Sequence, residues 1–336
     1  MSYHLAIVGA TGAVGKEMLT LLEKRGFPLK ELTLFASPKS AGKTLSFKGA
    51  DISIKALHEG CFKGIDIALF SAGKKASLEY VPQAVKEGAI VIDNGSAFRL
   101  MENVPLIIPE INAHALKNHQ GIIASPNCTT TVMLIALAPL HKPYTIKRIV
   151  ASTYQAASGA GALAMKELEE ETAAVLNNKP YERTVFTHPY AFNLFTHNST
   201  LTENGYVEEE LKMVFETHKI LEDPSIKVTA TCVRVPVLRA HSISLNVEFE
   251  KPITKENAYS LLKNAAGLKI LEDPSMNRFP MPLDATGQDD ILVGRIRQDI
   301  SQANTLEFWA VGDQLLKGAA LNTIQIAELL CAQRVT

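Results

Sequence analysis

The chain has 336 residues, 46% hydrophobic and 21% charged, and Lys+Arg 34 against Asp+Glu 35 gives a net charge of -1. That length exceeds what one core usually serves and predicts about two domains, while the apolar content excludes disorder for most of the chain. Balanced charge leaves neither a basic nucleic-acid surface nor an acidic partner arm.

The N-terminal MSYHLAIVGATG has no basic n-region and no cleavage site, so no signal peptide is expected. The longest apolar run, Val132–Leu140, is about nine residues, far below the ~20 a membrane helix needs. Cys61, Cys128, Cys232 and Cys331 form no C-x-x-C pair. They read as thiols in a reducing cytoplasm, without structural zinc.

Leu5–Val8, Leu32–Phe35, Ile65–Ser71 and Ala89–Ile92 read as strands, and Glu17–Lys24 and Ala76–Glu87 as helices between them. Such alternation predicts a parallel sheet with helices on both faces. Ile107–Pro109 and Ile122–Ala124 read as further short strands before a helix starting near Cys128. From Lys147 the runs lengthen and alternate, at Lys147–Tyr154 and Cys232–Glu250, which suits a largely antiparallel sheet with one solvated face. Between them lie a helix, Ala162–Leu176, and a segment rich in Pro, His and Asn over 177–205. A last helix, Gln314–Gln333, is expected to pack back on the first domain. The expected architecture is a Rossmann-type dinucleotide-binding domain (1–128 with 313–336) and an α+β catalytic and dimerisation domain (129–312). Lys-Ile-Leu-Glu-Asp-Pro-Ser occurs at both 219–225 and 269–275. The two copies read as helix ends stopped by a proline.

Gly9-Ala-Thr-Gly12-Ala-Val-Gly15 follows the first strand and opens a helix. Glycines there permit a tight turn, close approach of backbone N–H groups to a pyrophosphate, and close helix–strand packing. Candidate contacts in this turn are Gly9, Thr11, Gly12, Ala13 and Val14, with Ser71 and Gly73 after a later strand. The second strand ends in Phe35-Ala-Ser37-Pro-Lys39-Ser40, followed by Lys43. No acid stands there to hold a ribose 2′-OH, and Ser37, Lys39 and Ser40 suit a 2′-phosphate, so NADP is the expected cofactor. A glycine-rich turn without ligand and a solvated lysine loop are the plain alternatives.

Ser125-Pro-Asn127-Cys128-Thr-Thr-Thr131 precedes the apolar helix. Asn127 is a good N-cap, and a thiol in the first helical turn has its thiolate favoured by the helix dipole. Most cysteines are packing residues; polar neighbours and an electropositive position set Cys128 apart.

GATGAVG, NGSAFR (94–99), SPNCTT (125–130), QAASGAG (155–161), EEELK (208–212), the Arg234/His241 pair and GDQLLKGAA (312–320) occur in that order. In this the chain resembles the aspartate-β-semialdehyde dehydrogenases over nearly its whole length. N-acetyl-γ-glutamyl-phosphate reductases share the glycine loop and a similar cysteine segment. The resemblance implies that Cys128 is the nucleophile, His241 the general acid/base, and that Gln155 orients the nucleophile or substrate. It implies that Arg234 binds the substrate carboxylate, Glu209 the amino group, and Arg99 and Lys212 a phosphate, with Asn127 also at the substrate. Ser158, Gly159 and Gln314 match cofactor contacts, and a homodimer built through the second domain's sheet is implied. No nucleic acid, membrane or metal is expected.

The chemistry suits these residue types. A thiolate adds to an aldehyde, hydride leaves the adduct, and phosphate releases the thioester as an acyl phosphate. Histidine suits proton transfer because its ordinary pKa lies near the operating pH. Arg234 can hold a carboxylate by two parallel hydrogen bonds. Read alone, Arg234 and Arg99 are also compatible with surface salt bridges, and Glu208–Lys212 with a solvated helix start. Glu208 and Glu210 flank Glu209; alignment on Leu211-Lys212 selects Glu209.

Arg234 and His241 are an odd number of residues apart and would face opposite sides of a straight strand. Pro236 lies between them, so a break in the strand is expected. One departure from the family is visible. After Phe192-Asn-Leu194 the family usually continues with a proline-containing apolar segment, whereas this chain has Phe195-Thr-His197-Asn198.

Overall fold

A computed structural model describes residues 2–333. The chain divides into two compact units, one holding the residues up to Asn127 and those from Ala319 onwards, the other Cys128–Gly318.

The first unit is built on β1 (Tyr3–Val8), α1 (Ala13–Lys24), β2 (Leu29–Ala36), β3 (Thr44–Phe47), β4 (Ala50–Ala56), β5 (Ile67–Phe70), α2 (Lys74–Lys86), β6 (Ile90–Asp93), α3 (Pro109–Asn112) and β7 (Ile122–Ala124). The strands form one sheet in the order β3-β4-β2-β1-β5-β6-β7, parallel except for the β3–β4 hairpin. Ile7, Val8, Leu69 and Phe70 are fully buried, as central parallel strands require, and Phe62 packs against Phe35 and Phe70 with ring centroids 5.5 and 5.8 Å apart. One expectation fails here. Ile107–Pro109 is no strand: Leu106 bridges Ala124, and Pro109 starts a short helix, where its ring fits the first helical position. The hairpin Thr44–Phe47/Ala50–Ala56 is an addition that the apolar runs do not announce.

The second unit contains α4 (Cys128–Tyr144), β8 (Ile146–Gln155), α5 (Ala162–Leu176), β9 (Phe195–Thr196), α6 (Glu208–Leu221), β10 (Lys227–Arg234), β11 (His241–Phe249), α7 (Lys255–Leu262), β12 (Leu268–Ile270), α8 (Pro282–Ala285), β13 (Ile291–Gln298) and β14 (Thr305–Gly312). The sheet order is β12-β13-β14-β11-β8-β10-β9. It is largely antiparallel, as expected, with two parallel pairings: β10 runs parallel to β8 and β12 to β13. Helix α4 is buried along Thr129–Leu137, so its apolar run is a core helix.

The two heptapeptides take different structures. Lys219–Leu221 ends α6, whereas Lys269 and Ile270 lie in β12, which corrects the reading of two helix ends. What they share is the turn: Asp223 accepts from the N–H and hydroxyl of Ser225, and Asp273 does the same for Ser275. The Asx turn is local chemistry; helix or strand before it is decided by packing.

Residues 177–205 carry little regular structure, yet they are held from α5. The Glu167 carboxylate accepts the N–H groups of Val185 and Phe186 at 2.7 and 2.9 Å, and Glu171 accepts those of Tyr190 and Ala191 at 2.9 and 3.2 Å. Charged acceptors there satisfy backbone donors that no ladder serves.

The last element among the described residues is α9 (Leu321–Gln333), preceded by a π-helical turn over Leu316–Ala320. Helix α9 packs on α1, α3 and β6. Asn322 Nδ2 donates to the Ile107 carbonyl at 2.9 Å and to Ser125 Oγ at 3.0 Å. No helix among the described residues is long and apolar enough to cross a membrane, and none of the four cysteines forms a disulfide.

Candidate active site

The register of the second sheet assembles the site. Gln155 is the last residue of β8, and Arg234, the last of β10, pairs with it in parallel register. Such neighbours on parallel strands share a face. His241 opens β11, whose next residue, Ser242, pairs with Tyr154 of β8 in antiparallel register. All three side chains therefore leave the same end of the sheet.

The break between Arg234 and His241 is a compact loop. Val237 N–H donates to the Val235 carbonyl at 2.7 Å, and Ala240 is left-handed at φ 73°. Ala157 and Ser158 donate their N–H groups to the carbonyls of Val237 and Leu238 at 2.8 and 3.0 Å. The Gln314 side chain accepts from Ala240 N–H at 3.0 Å and donates to Ser158 Oγ. Just before it in the loop, Arg239 pairs with the buried Asp313 at 2.7 Å. The turn that re-aims His241 is thus fixed from both sides.

His241 is fully buried, with Nδ1 accepting Ala156 N–H at 3.0 Å and Nε2 without a hydrogen-bond partner among the described residues. Burial, reinforced by the Arg234 cation, lowers its pKa to about 3. The near-neutral titration that recommends histidine from sequence does not hold at this position. Arg234 Nη2 donates to His197 Nε2 at 2.8 Å, Nη1 reaches the Ala156 carbonyl at 3.4 Å, and Nε is buried without a hydrogen-bond partner among the described residues.

Gln155 takes the Thr153 hydroxyl at 3.0 Å and turns its amide to Glu209 Oε1 at 3.3 Å. Glu209 Oε2 receives Lys212 Nζ at 2.9 Å. Neighbouring glutamates are engaged elsewhere: Glu208 is exposed, and Glu210 accepts Val207 N–H as a capping box and Cys232 N–H. Only Glu209 of the three is tied to Gln155.

Cys128 is the first residue of α4, directly after Asn127, and is half-buried. Gly318 lies against it; a Cβ there would stand 2.9 Å from Cys128 Cβ and 3.2 Å from Gln314 Cβ. A Cβ on Gly159 would stand 2.8 Å from His241 Cε1 and 2.9 Å from Arg234 Nη1, so the missing side chain keeps open the space between imidazole and guanidinium. Cys232 differs from Cys128. It is wholly buried, and burial pushes its thiol up.

The remaining candidates stand in the first unit. Gly12 caps α1, and Lys16 N–H makes the first intrahelical bond, to Gly12, leaving the N–H groups of Ala13, Val14 and Gly15 for a ligand. Gly9 is at φ 92°, and a Cβ on it would collide with the Ser71 carbonyl. Thr11 precedes Gly12 in this turn, and Gly73 caps α2. Ser37 and Lys39 are exposed and Ser40 half-buried in the turn that ends β2. This glycine turn, helix N-terminus and hydroxyl-lysine loop fit a dinucleotide. Arg99 is buried in the loop after β6 and donates to the Asn94 carbonyl at 2.7 Å.

His197, Ser199 and the backbone of Ala156 are not singled out by sequence reasoning. The departure at 195–198 marks the place of His197 without its role. Phe195 and Thr196 form edge strand β9 opposite Arg234 and Val233, and this brings His197 beside the guanidinium.

Residues 4–119 match the family model of the semialdehyde dehydrogenase NAD binding domain, and residues 137–317 that of the semialdehyde dehydrogenase dimerisation domain. The aspartate-semialdehyde dehydrogenase of Synechocystis sp. is 56% identical over 327 residues, covering 97% of each chain. The chain belongs to the aspartate-semialdehyde dehydrogenase family. The Bacillus subtilis aspartate-semialdehyde dehydrogenase is 47% identical over 335 residues, again covering 97% of each chain. A crystal structure of Vibrio cholerae aspartate semialdehyde dehydrogenase II complexed with ASA superposes with a TM-score of 0.96 at 43% identity, covering 99% of each chain. As an aspartate-semialdehyde dehydrogenase family member, the chain is an oxidoreductase of amino-acid biosynthesis with an NAD(P)-binding unit and a dimerisation domain.

Proposed function

We propose that the chain catalyses the reversible, NADP-dependent reductive dephosphorylation of L-aspartyl 4-phosphate to L-aspartate 4-semialdehyde through a thioester on Cys128. It works as a homodimer in the cytoplasm, towards lysine, threonine, methionine and diaminopimelate. The observation that carries this reading is the convergence of Gln155, Arg234 and His241 on one sheet end, with Glu209 hydrogen-bonded to Gln155.

In the oxidative direction Cys128 sulfur adds to the aldehyde carbon. His241 offers its Nε2 proton to the carbonyl oxygen as that oxygen gains charge. A nicotinamide dinucleotide held by the glycine turn after β1 would accept the hydride in this direction and supply it in the biosynthetic one. Phosphate oxygen then bonds to the thioester carbon, and the carbon–sulfur bond breaks to return the thiolate. Arg234 holds the α-carboxylate, Glu209 the ammonium, and Gln155 orients sulfur or substrate. Arg99 and Lys212 take the phosphate, with Asn127 at the substrate. Ser158, Gly159 and Gln314 serve the cofactor's nicotinamide end; Gly9, Thr11, Gly12, Ala13, Val14, Ser71 and Gly73 its pyrophosphate; Ser37, Lys39 and Ser40 its 2′-phosphate. A buried carboxylate such as Glu209 suits a free ammonium and not an N-acetyl group, which favours aspartate semialdehyde over N-acetylglutamate semialdehyde.

The test mixes protein, phosphate, aspartate semialdehyde and NADP and follows NADPH absorbance. Parallel runs use NAD, N-acetylglutamate semialdehyde and the Cys128→Ala protein. Silence with aspartate semialdehyde, or full turnover by Cys128→Ala, defeats the reading.

A further inference from the structure

Arg234 is buried, and among the described residues no carboxylate forms an ion pair with it. A buried cation normally meets an anion, because desolvation is costly. Here its Nη2 meets the ring of His197 at 2.8 Å instead. An arginine can only donate, so His197 Nε2 accepts, and the neutral ring carries its proton on Nδ1. Ser199 presents both its hydroxyl oxygen, 3.1 Å away, and its backbone N–H, 3.2 Å away, to Nδ1. With the proton on Nδ1 the hydroxyl oxygen accepts it and the N–H contact is no hydrogen bond, and the same hydroxyl oxygen accepts Glu209 N–H at 3.1 Å. A continuous chain of hydrogen bonds therefore runs Arg234–His197–Ser199–Glu209. It joins the two residues proposed to grip the carboxylate and the ammonium on one substrate carbon.

We infer that His197 is a positioning residue, a neutral acceptor that fixes the Arg234 guanidinium towards the substrate carboxylate without cancelling its charge. Oriented by an aspartate or glutamate, Arg234 would be neutralised before substrate arrived. Oriented by an imidazole, it keeps its full charge in a dry site, where charge is worth most. The remaining neighbours fit that role. The Phe186 ring lies 5.9 Å from the guanidinium carbon, and the Ala156 carbonyl supplies a second neutral acceptor. Edge strand β9 delivers this contact: Phe195 pairs with Arg234, and His197 N–H donates to the Cys232 carbonyl at 2.8 Å.

The inference rests on Arg234 binding the substrate carboxylate, and steady-state kinetics of four variants separate the two claims. His197→Ala should raise the KM for aspartate semialdehyde at least about tenfold while kcat and the KM values for phosphate and NADP stay near wild type. His197→Gln, still a neutral acceptor, should restore most of it. His197→Glu should raise that KM further than alanine does, because the new anion pairs with Arg234. Arg234→Ala sets the reference. If it leaves the semialdehyde KM intact, the carboxylate assignment itself fails. If Arg234→Ala raises that KM and His197→Ala does not, only the positioning role fails. A His197→Ala protein that loses kcat and every KM together with its thermal midpoint also overturns the inference, since the residue is then merely structural.

Discussion

The backbone N–H of Ala156 points at Nδ1 of His241 from 3.0 Å, which leaves the proton of the neutral ring on Nε2. With its pKa lowered to about 3, the ring is neutral through the working range, and its Nε2 proton is available to donate in the proposed reaction. His241→Ala should reduce kcat by about 100-fold or more. Between pH 5.5 and 8 the kcat/KM profile should contain no ionisation belonging to this imidazole. A limb present in wild type and missing from His241→Asn would contradict the assigned tautomer and charge state.

Gly159 is the thinnest wall of the site. A methyl group there falls 2.8 Å from His241 and 2.9 Å from Arg234, and neither partner can retreat from its own hydrogen bonds. Gly159→Ala should cost roughly ten- to a hundredfold in kcat/KM and also lower the thermal midpoint, because the crowded groups must shift. A substitution silent in kinetics would mean that this space takes no part in binding.

Acid should weaken the fold through two imidazoles. The pKa of His197 is lowered to about 4 and that of His241 to about 3, in both cases by burial first and the Arg234 cation second, with Glu209 opposing. Lys212 adds to the lowering at His197, and His197 to that at His241. The unfolded chain binds protons at these groups below about 6.5 and the folded chain does not, so stability falls as pH drops through that value. Each group contributes a slope approaching about 1.4 kcal/mol per pH unit. Urea midpoints at pH 7.5 and 5 should show the loss, and His197→Gln should reduce its slope. Equal midpoints at the two pH values would show that neither ring is held neutral.

The proposed preference for NADP is tested in the turn after β2. Removing both Lys39 and Lys43 should raise the KM for NADP about tenfold or more, since a hydrogen bond to a charged group is worth about 1.5–3 kcal/mol. Use of NAD should hardly change. Parallel losses with both cofactors would place the 2′-phosphate elsewhere.

The parallel sheet, the glycine turn and the strand break at Pro236 are legible because each is written in local chemistry: apolar runs, a Gly-x-x-Gly-x-x-Gly spacing, a residue that cannot join a ladder. Glu209 is singled out by resemblance, and its tie to Gln155 is what the residues alone could not reveal. Three features are hidden for physical reasons. Lys-Ile-Leu-Glu-Asp-Pro-Ser ends a helix once and a strand once, so packing overrides its propensity. The β13–β14 hairpin escapes the sequence reading, although Leu306, Phe308 and Ala310 alternate inward. His197 sits in an irregular polar stretch whose folding depends on carboxylates of α5 well before it in sequence, and no periodicity announces such a contact.

Gln155 and Arg234 meet only after the chain has travelled from the end of β8 through α5, the long irregular segment and α6 before returning along β10. Closing so large a loop is entropically slow and cannot be rehearsed by a fragment. A nascent polypeptide therefore exposes these side chains as isolated, unremarkable groups. The face shared by Gln155 and Arg234 comes into being only when β10 docks along β8.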